Sequence, residues 1–366
     1  MKYVCVDCHA EYDWTDRRYR CECGGLLSLR YDKKPIDFRA LETLRDRSLW
    51  RYRGALPPFD PQVISAVTMG EGGTPLVGIG PRVWGKADYL MPTLSFKDRG
   101  AVMLVCAMLQ QGVRSCVIDS SGNAATSVAA YCTRVGIACE VFVPSYTSAK
   151  KVEQIEAHQA TVHRIEHTRE DTARAAIEFV ESTGAFYASH IFNPLFWEGT
   201  KTYVYELYEQ FGGRLPEVLV LPVGNGTLLM GAILALDELM GWNAITHYPL
   251  IVAVQAANCA PLAATFASGS AGVLTVETKP TLAEGIASAA PARGNEIIAA
   301  MRRVGGRFVT VSEREILEAR DTLARRGLYV ELTSAANHAG YLAAFGSSSM
   351  EEAVIPLCGA GLKSAH

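Results

Sequence analysis

Short apolar runs rich in β-branched residues alternate with segments of helical period from about Tyr89 onward. This alternation is typical of a parallel sheet covered by helices on both faces. Several runs are apolar throughout, as expected for strands buried on both sides. The predicted strands are 117–118, 140–143, 218–221, 251–254, 308–311 and 353–357. The pattern predicts the α/β class with two doubly wound domains.

Two helices have recognisable ends. Apolar residues after Lys97 share one stripe that ends near Gly112, which predicts an amphipathic helix. The stripe consists of Ala101, Leu104, Val105, Met108 and Leu109. A second helix is predicted to open with a capping box between Ser312 and Glu315 and to stop at Gly327.

The length of 366 residues suits two domains of ordinary size plus a small appendage. We predict a ribbon-like segment over 1–32, a connector over 33–65 and α/β domains over 66–195 and 196–366. The first domain would carry a reactive lysine, and the second a loop that binds phosphate.

The net charge of −3 gives no general electrostatic reason to bind nucleic acid or an acidic membrane. No apolar run reaches the ~20 residues that span a bilayer, and the first residues lack an apolar signal core. We therefore expect a cytoplasmic protein with reduced cysteines, acting on a small molecule rather than on nucleic acid or a membrane.

Four of the ten cysteines lie within the first 23 residues. Cys5 and Cys8 form a C-x2-C pair, and Cys21 and Cys23 form a C-x-C pair. Two such knuckles can close a tetrahedral thiolate site that fills the coordination sphere of zinc, so we predict a structural zinc ribbon. The alternative is four reduced thiols on a strand hairpin without metal.

Glycine-containing turns follow three predicted strands, at 120–123, 224–227 and 358–361. In doubly wound sheets such turns gather at the carboxyl edge, where ligands bind. Glycine lets backbone amides approach a ligand, and a following helix adds its positive end, so the turn at 224–227 suits a phosphate. Each turn by itself could also be a mere connector.

Lys97 stands at the opening of the helix predicted after it. A cation is unfavourable at the amino end of a helix, so this position would lower the pKa of the amine and favour a neutral nucleophile. Schiff-base chemistry requires such an amine. The alternative is a solvated lysine paired with Asp98.

Three motifs of the sequence resemble those of a known family. S-F-K-D-R-G at 95–100, S-G-N-A at 121–124 and G-E-G-G-T-P-L at 70–76 look like threonine synthase, a fold-type-II pyridoxal-phosphate enzyme. The order of the motifs and the cysteine ribbon also agree with that family. The resemblance implies two α/β domains like those of tryptophan synthase β, with pyridoxal 5'-phosphate between them, in a homodimer.

By this resemblance, Lys97 would hold the cofactor aldehyde as a Schiff base and act as acid and base. Asn123 would bond its phenolic oxygen, Cys358 would face the pyridine nitrogen, and the phosphate would be wrapped by Gly224, Asn225, Gly226 and Thr227. The residues expected at the substrate are Ser95, Arg99, Ser121, Gly122, Asn123, Ala124 and Lys201.

Some of these roles have alternatives. Cys358 could be a small buried residue that ends a strand. Arg99 and Lys201 are candidates for a substrate phosphate, since two cations offset a dianion, but each could form a structural ion pair instead.

The implied reaction converts O-phosphohomoserine and water to threonine and phosphate, by γ-elimination and β-addition. The chain departs from the family pattern, with Met91 in place of Asn, Leu94 in place of Gly, and Ala360 where His is common. These changes affect the substrate rather than the cofactor, because specificity depends on few polar groups.

The alternatives on the same scaffold are a β-replacement enzyme acting on O-phosphoserine or a similar amino acid, as cysteate synthase does, and a serine or threonine ammonia-lyase. A non-catalytic protein that binds nucleic acid through the ribbon is disfavoured, because Arg17, Arg18 and Arg20 are interspersed with acidic residues.

Overall fold

The computed structural model describes residues 1–147, 149–166, 169–347 and 349–363. The strands are β1 (Lys2–Cys5), β2 (Glu11–Asp13), β3 (Leu27–Arg30), β4 (Leu76–Gly80), β5 (Val83–Lys86), β6 (Ser115–Ile118), β7 (Ala138–Pro144), β8 (Thr161–Ile165), β9 (Phe186–Tyr187), β10 (Val218–Pro222), β11 (Leu250–Ala256), β12 (Arg307–Val311) and β13 (Ala353–Pro356).

The helices follow the same chain order. They are α1 (Phe38–Leu41), α2 (Pro61–Val67), α3 (Asp98–Gln110), α4 (Asn123–Arg134), α5 (Ala149–Ala157), α6 (Arg169–Thr183), α7 (Leu195–Thr200), α8 (Thr202–Gln210), α9 (Thr227–Gly241), α10 (Pro261–Ser268), α11 (Gly294–Arg303), α12 (Glu313–Arg325) and α13 (Leu332–Phe345). Short 3₁₀ segments lie at Leu49–Ala55, Asp88–Leu90, Glu284–Ile286 and Gly361–Lys363.

The chain forms two compact units. The first contains Met1–Glu71 and Lys97–Thr200, and the second contains Gly72–Phe96 and residues 201–363. The predicted α/β class is confirmed. The predicted domain boundaries remain predictions, and the predicted connector over 33–65 contains α1, a 3₁₀ segment and the greater part of α2.

The first unit has two sheets. The strands β2, β1 and β3 form a small antiparallel sheet in that order, and a parallel sheet has the order β8-β7-β6-β9. The chain steps outward from β6 to β8 and then returns to the other side of β6 at β9. A ligand binds at such a switch point in doubly wound sheets, so the turn after β6 is the expected binding position.

The second unit contains a six-stranded sheet with the order β12-β11-β10-β13-β5-β4. All neighbours are parallel except the hairpin of β4 and β5. The strand order reverses at β10, which has β11 on one side and β13 on the other. The turns after β10 and β13 therefore leave neighbouring strands at the same carboxyl edge.

All six predicted strands are confirmed within a few residues, and so are α12 and its capping box. Strands β4, β5, β8 and β9 had no sequence prediction. β9 has only two residues, and β8 is an edge strand whose residues are partly exposed, so neither gives a buried apolar run.

The predicted extent of α3 is confirmed, but its predicted amphipathic character is wrong. Every residue from Asp98 to Met108 is buried, not only the apolar stripe. The reason is tertiary, because α2, α4 and α7 pack around α3 and leave it no solvent face. A helix surrounded in this way can bury polar residues only with partners.

None of the helices in the described ranges has the length and apolarity needed to cross a membrane. All ten cysteines are free thiols, as expected from the sequence.

Candidate active site

Lys97 precedes the first residue of α3 and has helical backbone angles, φ −61° and ψ −24°. Its side chain is half-buried rather than fully solvated. The ammonium nitrogen lies 5.5 Å from the centre of the Phe196 ring. No side chain caps the amino end of α3. The Lys97 amine thus lies beside an aromatic ring within the first unit.

Two glycines bring α3 and α7 into close contact near this lysine. A Cβ atom on Gly199 would lie 1.8 Å from the backbone oxygen of Arg99, and one on Gly100 would lie 2.3 Å from the Phe196 ring. Only glycine permits this approach. The Arg99 side chain is fully buried, and the Asp98 carboxylate accepts a hydrogen bond from Ser127.

The predicted turn at 120–123 connects β6 to α4 at the switch point of the first unit's parallel sheet, and the 121–124 motif runs into the start of α4. Gly122 is the N-cap of α4 and, as a glycine, offers no capping side chain. A Cβ atom on Gly122 would contact nothing within 4 Å, so the backbone is approachable. Ser121 and Asn123 are half-buried. The first-turn amides of α4 therefore suit a carboxylate.

In the second unit, the glycine turn 224–227 leads from β10 into α9. Gly226 has φ +77° and serves as N-cap without a capping side chain. The side chain of Asn225 accepts a hydrogen bond from Ser288 Oγ at 3.0 Å. The amino end of a helix is a position that suits a phosphate, because backbone amides and the positive end of the helix dipole lie there.

Cys358 follows β13 and is fully buried. Its backbone oxygen accepts a hydrogen bond from the amide of Phe96 at 2.9 Å. The side-chain amide nitrogen of Asn337 lies 3.8 Å from the Cys358 sulfur and donates to the oxygen of Pro356 at 3.1 Å. These contacts fix the thiol at the carboxyl edge of the sheet, beside the turn after β10.

Ser95 also belongs to the second unit and forms an isolated antiparallel bridge with Gly359. Its hydroxyl is buried and has no hydrogen-bond partner among the described residues. A buried hydroxyl without a hydrogen-bond partner destabilises the folded state. This property is expected of a group that forms its hydrogen bond with a bound ligand. This orphaned hydroxyl is consistent with the predicted role of Ser95.

Lys201 is fully buried and pairs with Glu238 at 3.0 Å. Tyr205 also donates a hydrogen bond to the same carboxylate. Of the two alternatives for Lys201, this contact favours the structural ion pair.

The predicted site residues divide between the two units. Those in the first unit are Lys97, Arg99, Ser121, Gly122, Asn123, Ala124 and the four amino-terminal cysteines. Those in the second unit are Ser95, Lys201, Gly224, Asn225, Gly226, Thr227 and Cys358.

The cysteine cluster has the geometry of a metal site. The four sulfurs lie within 4.8 Å of one another, with Cys5 to Cys23 at 3.6 Å and Cys8 to Cys21 at 3.5 Å. A tetrahedron of thiolates at about 2.3 Å from zinc has edges of about 3.8 Å. A hydrogen bond from Tyr12 lowers the pKa of Cys21 to about 6.

Sequence reasoning missed the polar residues of α13. Ser334 Oγ accepts the amide of Gly359 at 3.2 Å, and Asn337 contacts Cys358 as described above. His338 is buried, and burial lowers its pKa to about 4. The sequence signal that could have identified these residues is the presence of polar side chains at Ser334, Asn337 and His338 in a mainly apolar helix.

The buried Glu71 was also missed, although its motif was identified. Its carboxylate accepts hydrogen bonds from Trp50 Nε1 and Thr68 Oγ1 at 2.8 Å and from Tyr131 Oη at 2.9 Å. In the second unit, Glu206 binds both Lys86 at 2.6 Å and the amide of Gly73 at 2.9 Å. Acidic residues thus hold the 70–76 motif in shape within each unit.

Known proteins resemble this chain over most of its length. The family model described as pyridoxal-phosphate dependent enzyme matches residues 67–359. The threonine synthase of Methanosarcina acetivorans is 32% identical over 92% of this chain and 85% of its own length. That of Methanocaldococcus jannaschii is 31% identical over 93% of this chain and 86% of its own length.

A solved structure agrees at the level of the fold. The processed threonine deaminase isoform 2 from Solanum lycopersicum superposes with a TM-score of 0.70 at 20% identity, covering 92% of this chain and 93% of the other.

Proposed function

Because the chain belongs to the threonine synthase family of pyridoxal-phosphate-dependent enzymes, we propose that it converts O-phosphohomoserine and water to threonine and phosphate. The observation that carries this proposal is the match over nearly the whole chain to threonine synthases. Two features support it: Lys97 precedes α3, and the two glycine-containing turns lie at the strand-to-helix junctions β6–α4 and β10–α9.

Several features of the chain fit pyridoxal phosphate. The uncapped start of α9 with Gly226 suits the cofactor phosphate, and Cys358 is a neutral group buried at the same sheet edge. We assign the covalent link to Lys97, a hydrogen bond to the ring hydroxyl to Asn123, and the pyridine nitrogen to Cys358. When bound, the cofactor supplies an electron sink for negative charge at the substrate α carbon.

The remaining roles belong to residues of the chain itself. The Lys97 amine would remove and return protons at the α and β carbons of the substrate. The amides of 121–124 and the hydroxyl of Ser95 would hold the substrate carboxylate. A neutral thiol at Cys358 stabilises a pyridinium less than a carboxylate would, which favours elimination and replacement over transamination.

Arg99 and Lys201 remain the candidates for the substrate phosphate. The ion pair of Lys201 with Glu238 would have to open for Lys201 to take this role. A homodimer and cytoplasmic location are part of the same proposal.

The direct test is turnover by purified protein supplied with pyridoxal phosphate. We expect threonine and phosphate to form together from O-phosphohomoserine. Formation of ammonia and 2-oxo acid from threonine, or replacement at O-phosphoserine as the faster reaction, would instead identify an ammonia-lyase or a β-replacement enzyme.

The role of Lys97 can be tested at the same time. Lys97→Ala should abolish turnover and the absorbance of the lysine-linked cofactor, whereas replacing the exposed Lys150 by Ala should change neither. If Lys97→Ala keeps that absorbance, the assignment of the covalent link is wrong.

We also infer that the four amino-terminal cysteines hold a structural zinc ion. The sulfur separations given above suit tetrahedral coordination, and the amides of Asp7 and Cys8 point to the Cys5 sulfur at 3.4 and 3.5 Å. Four thiolates leave no open position for water or substrate, so the metal would not take part in catalysis.

A further inference from the structure

Leu94 has a backbone conformation that leucine seldom adopts. Its φ is +62°, in the left-handed region where a β-carbon meets the following carbonyl oxygen. The side chain is 41% exposed, so burial of an apolar group does not compensate for this strain. Leu94 stands three residues before Lys97. Strained residues of this kind concentrate at functional sites, where the surrounding structure holds them in place.

The backbone around Leu94 is held from several sides within the second unit. Its amide donates to Met91 O at 2.8 Å, and its oxygen accepts from the amide of Ala360 at 3.1 Å. The buried amine of Lys363 donates to Thr93 O at 2.6 Å. These bonds fix the direction of the Leu94 side chain, so its exposure is a property of the fold.

The immediate neighbours of Leu94 are positions assigned to the active site. Ser95, the next residue, has the buried hydroxyl without a partner among the described residues, and it bridges to Gly359. The amide of Phe96 bonds to Cys358 at 2.9 Å. The exposed leucine therefore belongs to the segment that presents ligand-binding groups.

We propose that Leu94 is a specificity-determining residue that contacts the aliphatic carbons of the amino-acid substrate. This proposal rests on the proposed function and adds a substrate class to it. A leucine side chain offers only methyl and methylene groups, so it can recognise an extra carbon but not a charge. It would favour four-carbon amino acids, such as homoserine derivatives and threonine, over three-carbon ones such as serine derivatives.

The expected size of the preference follows from the burial of one additional carbon. Burying one methylene contributes about 0.8 kcal/mol, which corresponds to about a fourfold change in affinity. Leu94→Ala removes most of the apolar contact and keeps a β-carbon. Leu94→Gly removes the contact and also relieves the strained φ.

The experiment uses the holoenzyme and measures KM and kcat for O-phosphohomoserine. It also measures the ratio of the dissociation constants of L-serine and L-threonine, from the change in cofactor absorbance. We expect both Leu94 variants to raise KM about fourfold or more and to lower the selectivity for threonine over serine about fourfold. The kcat and the absorbance without substrate should stay within twofold of wild type.

Arg82→Gly provides the matched control. Arg82 also has a positive φ, +55°, but it lies in the turn between β4 and β5, away from the assigned residues. Its replacement should leave KM and selectivity unchanged. This control separates relief of backbone strain from loss of substrate contact.

The outcomes distinguish this proposal from the proposed function. If wild type turns over O-phosphohomoserine and Leu94→Ala leaves both KM and the threonine-to-serine selectivity unchanged, Leu94 is not a specificity residue. If wild type shows no such turnover, the proposed function fails, and the selectivity ratio alone decides the role of Leu94. An equal loss of threonine and serine binding in both variants would also overturn the proposal.

Discussion

At the scale of single residues, three glutamates illustrate how this protein accommodates buried or partly buried charge. Glu71, Glu206 and Glu238 are each held by two or more donors. A buried carboxylate without such donors would be strongly destabilising. These three residues therefore secure the loops and helices next to the assigned site without being assigned to the chemistry.

His338 gives a prediction at this scale. Burial lowers its pKa to about 4, and a neighbouring positive charge at Arg326 acts in the same direction. The unfolded chain binds a proton at this residue below about pH 6.5, while the folded protein binds it only near pH 4. Neutral His338 thus contributes fully to the free energy of unfolding above about pH 6.5, and this contribution is lost as the pH falls toward 4.

We expect the loss in unfolding free energy from this group to be on the order of 3 kcal/mol between pH 7 and pH 4. His338→Gln stays neutral and should show a flatter dependence in urea denaturation across that window. Replacement of the exposed His247 by Gln is the control and should retain the wild-type slope. Equal slopes for His338→Gln and wild type would contradict the assignment.

At the scale of secondary-structure elements, the packing of α3 against α7 positions the reactive lysine. Gly100 and Gly199 let the two helices approach closely, so that Gly199 lies against the backbone of Arg99 and Gly100 lies against the Phe196 ring. Glu198 precedes this contact and is itself held by Tyr31 Oη at 2.6 Å and by Lys33 at 3.4 Å. The segment after β3 therefore supports α7, which in turn supports α3.

Gly199→Ala tests this packing. The added carbon would lie 1.8 Å from a backbone oxygen, which cannot rotate away as a side chain can. We expect a loss of about 3 kcal/mol or more in stability and a changed absorbance of the lysine-linked cofactor, because α3 must shift.

Gly241→Ala is the matched control, since its β-carbon would contact nothing within 4 Å and it also lies in a helix. This variant should be neutral or slightly stabilising. If Gly199→Ala behaves in the same way, the close contact of α3 and α7 is not as tight as the structure indicates.

At the scale of the whole molecule, the amino-terminal segment with the four cysteines, the proposed ribbon, packs within the first unit. Tyr19 packs edge-on against Tyr187 at 5.1 Å and lies 5.9 Å from Phe192. The side-chain nitrogen of Gln111, which follows α3, donates to Trp14 O at 3.0 Å. Loss of the ribbon structure would therefore expose aromatic residues that belong to the core of this unit.

Removal of zinc should accordingly lower the stability of the enzyme. A chelator, or Cys8→Ser, should release about one zinc per chain and lower the unfolding free energy by on the order of 3 kcal/mol, several degrees in Tm. Cys106→Ser changes a buried cysteine outside the ribbon and should retain the metal. Protein that contains no zinc as purified and gains no stability from added zinc would contradict the metal assignment.

Local patterns in the sequence were sufficient for β6, β7 and β10 to β13, for the extent of α3 and for the positions of the glycine turns. They also identified Lys97 at its helix start, because helix and strand periodicity and turn chemistry act between residues close in the chain. The motif order indicated the family for the same reason, since the motifs are short and local.

Only the tertiary structure decided which side chains meet. The complete burial of α3, the pairs Lys201–Glu238 and Lys86–Glu206, and the left-handed conformation of Leu94 all depend on segments distant in sequence. The partner of a buried charge and the solvent-exposed face of a helix depend on the segments that pack against them. The periodicity of a segment describes only residues close in sequence, so it does not identify those packing partners.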